Sequence, residues 1–123
     1  MPNPNFLLLF VDSPKASADF YAGLFDRPPV ESSPTFAMFA LESGLMLGLW
    51  SRHTAEPRPA ALAGGGELGL TVADAGAVDA TFSNWKARGV SMLQQPTDMD
   101  FGRTFVALDP DGHRLRVFSA PQG

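Results

Sequence analysis

The sequence predicts an α+β protein made of two βαβββ modules. Three observations carry that expectation. The order of strand-like and helix-like patterns between residues 6 and 50 recurs between residues 67 and 118. The halves can be laid on each other: Phe6 to Val11 falls on Glu67 to Val72 at one offset, and Gly44 to Trp50 on Gly112 to Phe118 at a larger one. Finally, Asp109-Pro110-Asp111-Gly112 joins two strand-like runs. Proline presets φ in such a turn and glycine takes its strained last position, which makes a β-hairpin. An internal repeat constrains the fold more than any single residue does.

Each element has its own local reason. Phe6 to Val11 is an unbroken apolar run of strand length, the pattern of a strand buried on both faces. Asp12-Ser13-Pro14 supplies a cap and a first-turn proline for a helix running to about Phe25, with Ala16, Phe20 and Leu24 as its buried stripe. Pro28-Pro29 ends it. Strands follow near Val30 to Ser33, at Thr35 to Leu41 and at Leu45 to Trp50. Residues 52–66 hold Pro57, Pro59 and Gly64-Gly65-Gly66 without periodicity and read as a linker between modules 5–51 and 67–120 of a single domain, 1–123. From Glu67 to Val72 the residues alternate, with Leu68, Leu70 and Val72 on one face. Asp74 caps a second helix with the stripe Val78, Phe82 and Trp85, closed by Gly89. Val90 to Gln94, Phe101 to Leu108 and the last strand complete the chain.

Composition narrows the function. A chain of 123 residues that is 45% hydrophobic builds one domain with a real core, and ten phenylalanines and two tryptophans are a heavy aromatic load for it. The net charge of −4 argues against nucleic acid or an anionic membrane as partner. With no cysteine there is no disulfide, thiolate chemistry or zinc-thiolate site. Met1 to Asn5 lacks the basic start of a signal peptide, and the apolar run after it is too short to span a bilayer. A soluble, cytoplasmic protein is expected.

With its opening from Phe6 to Tyr21, the echo from Glu67 and the closing Asp-Pro-Asp-Gly hairpin, the chain resembles the vicinal oxygen chelate superfamily of glyoxalases, bleomycin-resistance proteins and extradiol dioxygenases. The strands Phe36 to Leu41 and Leu47 to Trp50 look most like its metal-free, drug-binding members of the phenazine-antibiotic-resistance type. The resemblance implies sheets that curl into a cup with the helices outside, and a homodimer. Metal-dependent members place ligands near the start of each module's first strand and in its last strand. By position these slots fall on Phe6, Gly48, Glu67 and Arg116. Divalent cations need oxygen or nitrogen lone pairs. Phe6 and Gly48 offer no side-chain donor and Arg116 is a permanent cation, so no metal and no cofactor is expected.

Within that cup, alternation points Phe6, Leu8 and Phe10 inward, with Met46, Gly48 and Trp50, and with Glu67, Gly69 and Thr71. Cross-strand pairing in the last hairpin is read as putting Phe101, Arg103 and Phe105 on the face of Arg114, Arg116 and Phe118. Such a lining suits a flat apolar ligand, to whose shape Met38 or Met46 can adapt. Trp85 is read as core and Trp50 as a ligand contact. Glu67 and Arg116 either pair with each other, or an arginine, Arg116 or Arg103, takes a ligand carboxylate. The leading expectation is a binding protein that sequesters a planar aromatic, phenazine-like antibiotic. The alternatives are an enzyme using Glu67 as general base and a metal-dependent lyase or dioxygenase. His53 and His113 are not expected to hold a metal.

Overall fold

The computed structural model describes residues 3–120; Met1 and Pro2, which entered the signal-peptide reading, lie outside them. The chain divides into two compact units, Met1–Ala61 and Leu62–Gly123. In the first, β1 (Phe6–Val11), α1 (Pro14–Phe25), β2 (Glu31–Ser32), β3 (Phe36–Ala40) and β4 (Met46–Ser51) follow in order. The second holds β5 (Glu67–Thr71), α2 (Ala75–Ala87), β6 (Ser91–Met99), β7 (Gly102–Leu108) and β8 (Arg114–Phe118). The sheet orders are β1-β4-β3-β2 and β5-β8-β7-β6, so the repeat holds strand for strand. Each sheet is open and mixed. Its first strand runs parallel to its last, and the other pairs are antiparallel. No helix among the described residues is long and apolar enough to cross a membrane.

In the first unit the Ser13 hydroxyl accepts from the Ala16 N–H at 3.2 Å, and Pro14 occupies the first turn, where its missing N–H costs nothing. The chain leaves α1 through Asp26 at φ 52°, one residue earlier than the prolines require. The buried stripe of α1 is Pro14, Ser17, Ala18 and Tyr21, not Ala16, Phe20 and Leu24. Both sets have helical spacing. The buried one wins because Tyr21 leads a chain of rings through Phe25, at 5.5 Å, to Phe39 on β3, at 6.0 Å. Phe39, Ala37, Leu47 and Leu49 are fully buried on that side of the sheet. The other side has no helix, so Phe6, Leu8 and Phe10 remain 44, 39 and 37% exposed, and β1 is not buried on both faces as its apolar run implied. Ala55, within the stretch read as linker, is buried, and its N–H bonds the Ser51 carbonyl at 3.0 Å.

The second unit follows its sequence more closely. The Asp74 carboxylate caps α2 through the Ala77 N–H at 2.8 Å, and Gly89 follows the helix at φ 85°. Trp85 and Phe82 meet Phe105 edge-on at 5.5 and 5.4 Å, so Trp85 is core as its spacing predicted. β6 runs on to Met99 across two register shifts, one between Met92 and Gln94 and one between Gln94 and Thr97 that spans Pro96; an edge strand tolerates both. In the Asp109 to His113 turn, the buried Asp109 carboxylate accepts from the Asp111 and His113 N–H groups, both at 2.9 Å. Backbone bonds from Asp109 N to His113 O and from Gly112 N to Asp109 O close it, with Gly112 at φ 90°. Leu108 therefore faces Arg114 across the hairpin, and Thr104 faces Phe118.

Two substitutions test these joints. Asp109→Ala strands two N–H groups and is expected to cost about 1–3 kcal/mol in urea unfolding, with Asp109→Asn, which keeps an acceptor, costing clearly less. At Gly102, φ is +134° and an added Cβ would lie 1.8 Å from the Ser119 carbonyl oxygen, which is backbone and cannot swing away. Gly102→Ala is expected to lower the melting temperature far more than Gly65→Ala, whose Cβ meets nothing.

Candidate ligand-binding faces

The helix of each unit covers one face of its sheet, and all the candidate residues but Arg103 and Phe105 lie on the other. In the first unit the register sets Phe6 beside Met46, Leu8 beside Gly48 and Phe10 beside Trp50, with Phe36 and Met38 next in line from β3. Phe10 and Trp50 stand 6.2 Å apart, tilted by 36°. A pocket of about 430 Å³ opens here, lined by Phe6, Leu8, Glu31, Ser33, Thr35, Phe36 and Trp50. Gly48 sits beneath this cluster. A Cβ there would come within 2.6 Å of Leu8 Cδ2, 2.8 Å of Phe6 Cε1 and 3.2 Å of Phe36 Cε1. Three side chains thus close over a position that only a bare backbone fills without displacing them.

The second unit's open face is polar at one end and aromatic at the other. Arg116 donates to both oxygens of Glu67, from Nε at 2.7 Å and from Nη2 at 3.0 Å. Its Nη1 reaches Thr104 Oγ1 at 3.2 Å and Gln94 Oε1 at 3.4 Å. Arg114 adds a contact from Nη2 to Glu67 Oε2 at 2.6 Å. The hydrogen bond from Arg116 is the main cause that holds the Glu67 carboxyl below its ordinary value of 4.5, and the charges of both arginines add to it against the opposing effect of desolvation. Phe101 and Phe118 meet edge to face at 6.1 Å, and the Arg116 guanidinium lies 5.7 Å from the Phe101 ring.

Two of the expected residues are not on this face. Arg103 and Phe105 point to the helix side. Arg103 donates to Asp79 of α2 at 2.8 Å and to Asp98 at 3.0 Å, and Phe105 is fully buried against α2. The five residues between Leu108 and Arg114 set the register one residue away from the expected pairing, which moves every β7 side chain to the other face. Phe101 escapes that shift because it precedes Gly102, whose positive φ breaks the alternation. Gln94, Thr104 and Arg114 were missed. The first two are polar residues with no motif around them, and Arg114 was placed on the face but given no role.

A family model for the glyoxalase/bleomycin resistance protein/dioxygenase superfamily matches residues 3–117. The chain belongs to that superfamily. It is 32% identical over 117 residues to EhpR, a phenazine antibiotic resistance protein of Enterobacter agglomerans, across 93% of this chain and 89% of that one. Among solved structures it is similar to protein ATC0852 of Agrobacterium tumefaciens, with 55% identity and a TM-score of 0.90 over 99% of this chain and all of that one. A glyoxalase-related enzyme of Fulvimarina pelagi shares the fold at 21% identity and a TM-score of 0.85, over 100% of this chain and 94% of that one.

The metal that serves many glyoxalase-superfamily members does not fit the residues present here. Phe6 and Gly48 bring no donor, Arg116 brings a positive charge, and both Glu67 oxygens already accept from guanidiniums. Among the described residues, no group of three or more His, Cys, Asp and Glu side chains could hold an ion. His53 instead lies 2.7 Å from Asp12 at the surface.

The Glu67 pairing has a pH signature. The folded carboxyl titrates below its unfolded value, so the unfolded chain takes up the proton first as pH falls. The stability that Glu67 contributes is whole above the ordinary pKa of 4.5 and drains away as pH drops through the lower folded value. Denaturation curves of the wild type and Glu67→Gln are expected to differ most near neutral pH and to converge in acid. A constant gap across that range would contradict the pairing.

Proposed function

We propose that this protein binds and sequesters a planar aromatic small molecule of the phenazine class, without a metal and without altering it, and thereby confers resistance to it. The observation that carries this reading is the first sheet's open face, where Phe6, Phe36 and Trp50 line a pocket over Gly48 that no helix covers. Rings in such a lining add about 0.5–1.5 kcal/mol per aromatic pair beyond area burial. Met38 and Met46 flank Gly48 on the same face and adapt to the ligand's outline. On the second unit's own open face, Glu67, Phe101, Arg116 and Phe118 are proposed as ligand contacts. The phenazine class is taken from the printed name of the relative EhpR, at 32% identity. We further propose that the protein acts in the cytoplasm as a homodimer, in which a second copy or a bound ring shields Phe6, Leu8 and Phe10.

The competing reading, an enzyme with Glu67 as general base, is weakened by the arginines. A carboxylate held below its ordinary pKa by two guanidiniums is a poor proton acceptor at neutral pH. The test is fluorescence titration with phenazine in a Trp85→Phe background, so that Trp50 reports alone. Saturable quenching is expected, with the phenazine recovered unchanged. Trp50→Leu, followed by calorimetry, is expected to weaken binding by roughly tenfold. No quenching by any planar aromatic, or a chemically converted ligand, would overturn the proposal.

A further inference from the structure

The pocket on the first sheet's open face carries a group that holding a neutral flat ring does not use. Glu31 stands in its lining beside Phe6, Leu8, Phe36 and Trp50, and it is the charged residue of that lining. Among the described residues, no hydrogen bond or ion pair engages its carboxylate. The nearby Ser33 hydroxyl is already spent: it accepts from the N–H groups of Phe36 at 3.1 Å and Thr35 at 3.4 Å, and it donates to the Phe36 carbonyl at 3.2 Å. No lysine or arginine lines the pocket. The lining therefore offers a carboxylate acceptor and no cation to oppose it.

The sheet sets where that acceptor stands. β2 has two residues, yet the Val30 N–H donates to the Met38 carbonyl at 2.7 Å and the Ser33 N–H to the Phe36 carbonyl at 2.8 Å, so the backbone is held on both sides of Glu31. The register places Glu31 opposite Met38, Met38 opposite Gly48 and Gly48 opposite Leu8. Directly opposed residues share a face, so all four lie on the open side in one row across the sheet. A ring seated in the pocket meets Phe6 of β1, Phe36 of β3 and Trp50 of β4, with the Glu31 carboxylate at the β2 edge. Covering that carboxylate strips water from it, which costs free energy unless the ligand returns a donor. A plain ring edge returns none, and a ligand acid adds a like charge. An ammonium group returns N–H donors and the opposite charge, in hydrogen bonds roughly twice as strong as neutral ones.

We propose that Glu31 determines the specificity of this pocket by accepting a hydrogen bond from a protonated amine on the planar aromatic ligand. The pocket then favours amine-bearing rings over neutral ones and disfavours ring acids. The inference rests on the sequestration reading in taking the pocket to hold a flat aromatic. It adds the charge of the ligand and names the residue that reads it.

Calorimetry with aminomethylphenazine, methylphenazine and phenazine carboxylate, on wild type, Glu31→Gln and Glu42→Gln, reads the selectivity. Glu42 lies outside the pocket with its side chain 92% exposed, so its variant changes the net charge equally without touching the lining. The amine is expected to bind wild type about tenfold tighter than methylphenazine, and the carboxylate more weakly than either. That ratio is expected to collapse in Glu31→Gln and to persist in Glu42→Gln. NMR of the Glu31 carboxyl carbon in wild type titrated with benzylamine reads the contact without a phenazine, and the signal is expected to move. Equal affinities for the amine and methyl compounds, a preference for the carboxylate, or a ratio that survives Glu31→Gln would overturn the assignment while leaving sequestration standing. A benzylamine response with no phenazine bound would do the reverse, and silence in both assays would remove both.

Discussion

Parallel pairing of the first and last strands of each unit governs what the open faces can do. It sets Leu8 beside Gly48 and Phe10 beside Trp50 in one sheet, and Glu67 beside Arg114 and Gly69 beside Arg116 in the other. Because side chains alternate across a strand, this register also commits Leu47, Leu49, Leu115 and Val117 to the helix side, where they are buried. The hydrophobic cores and the candidate ligand faces are thus two consequences of one pairing.

On the faces so defined, the chemistry follows from which groups can offer lone pairs. The positions that the resemblance assigns to metal ligands carry a phenyl ring and a glycine in the first unit, and in the second an arginine and an acid paired with guanidiniums. Removing one member of the Glu67 cluster would leave a charge poorly compensated, so the three side chains act as a set. Gly48 shows the same interdependence in apolar form, since Phe6, Leu8 and Phe36 occupy the space a side chain there would need. The faces are internally consistent as places for a flat organic molecule and inconsistent as a cradle for a cation.

Much of this was legible in the residues. The repeat, the two helices with their Ser13 and Asp74 caps and the core role of Trp85 all follow from local patterns that the structure keeps, while the pairing of Glu67 with Arg116, one of two alternatives open in the sequence, is the one the structure adopts. Failures came where a short-range pattern admits two phases. The α1 stripe differs because two sets of residues share helical spacing and the buried Tyr21 heads the ring path through Phe25 into the sheet, with Phe20 packing on Tyr21 from outside. Arg103 and Phe105 were put on the wrong face because the number of residues in the Asp109 turn, rather than the alternation of β7, fixes the hairpin register.

If the protein sequesters a flat ring as proposed, that ring lies on the face bearing Phe6, Phe36 and Trp50. Intermolecular nuclear Overhauser effects from phenazine ring protons, in a sample from which metals have been stripped, test this most directly. Cross-peaks to Phe6, Phe36 and Trp50 are the predicted result. Cross-peaks confined to the helix side of the sheet, or binding that appears only when a divalent cation is restored, would contradict it.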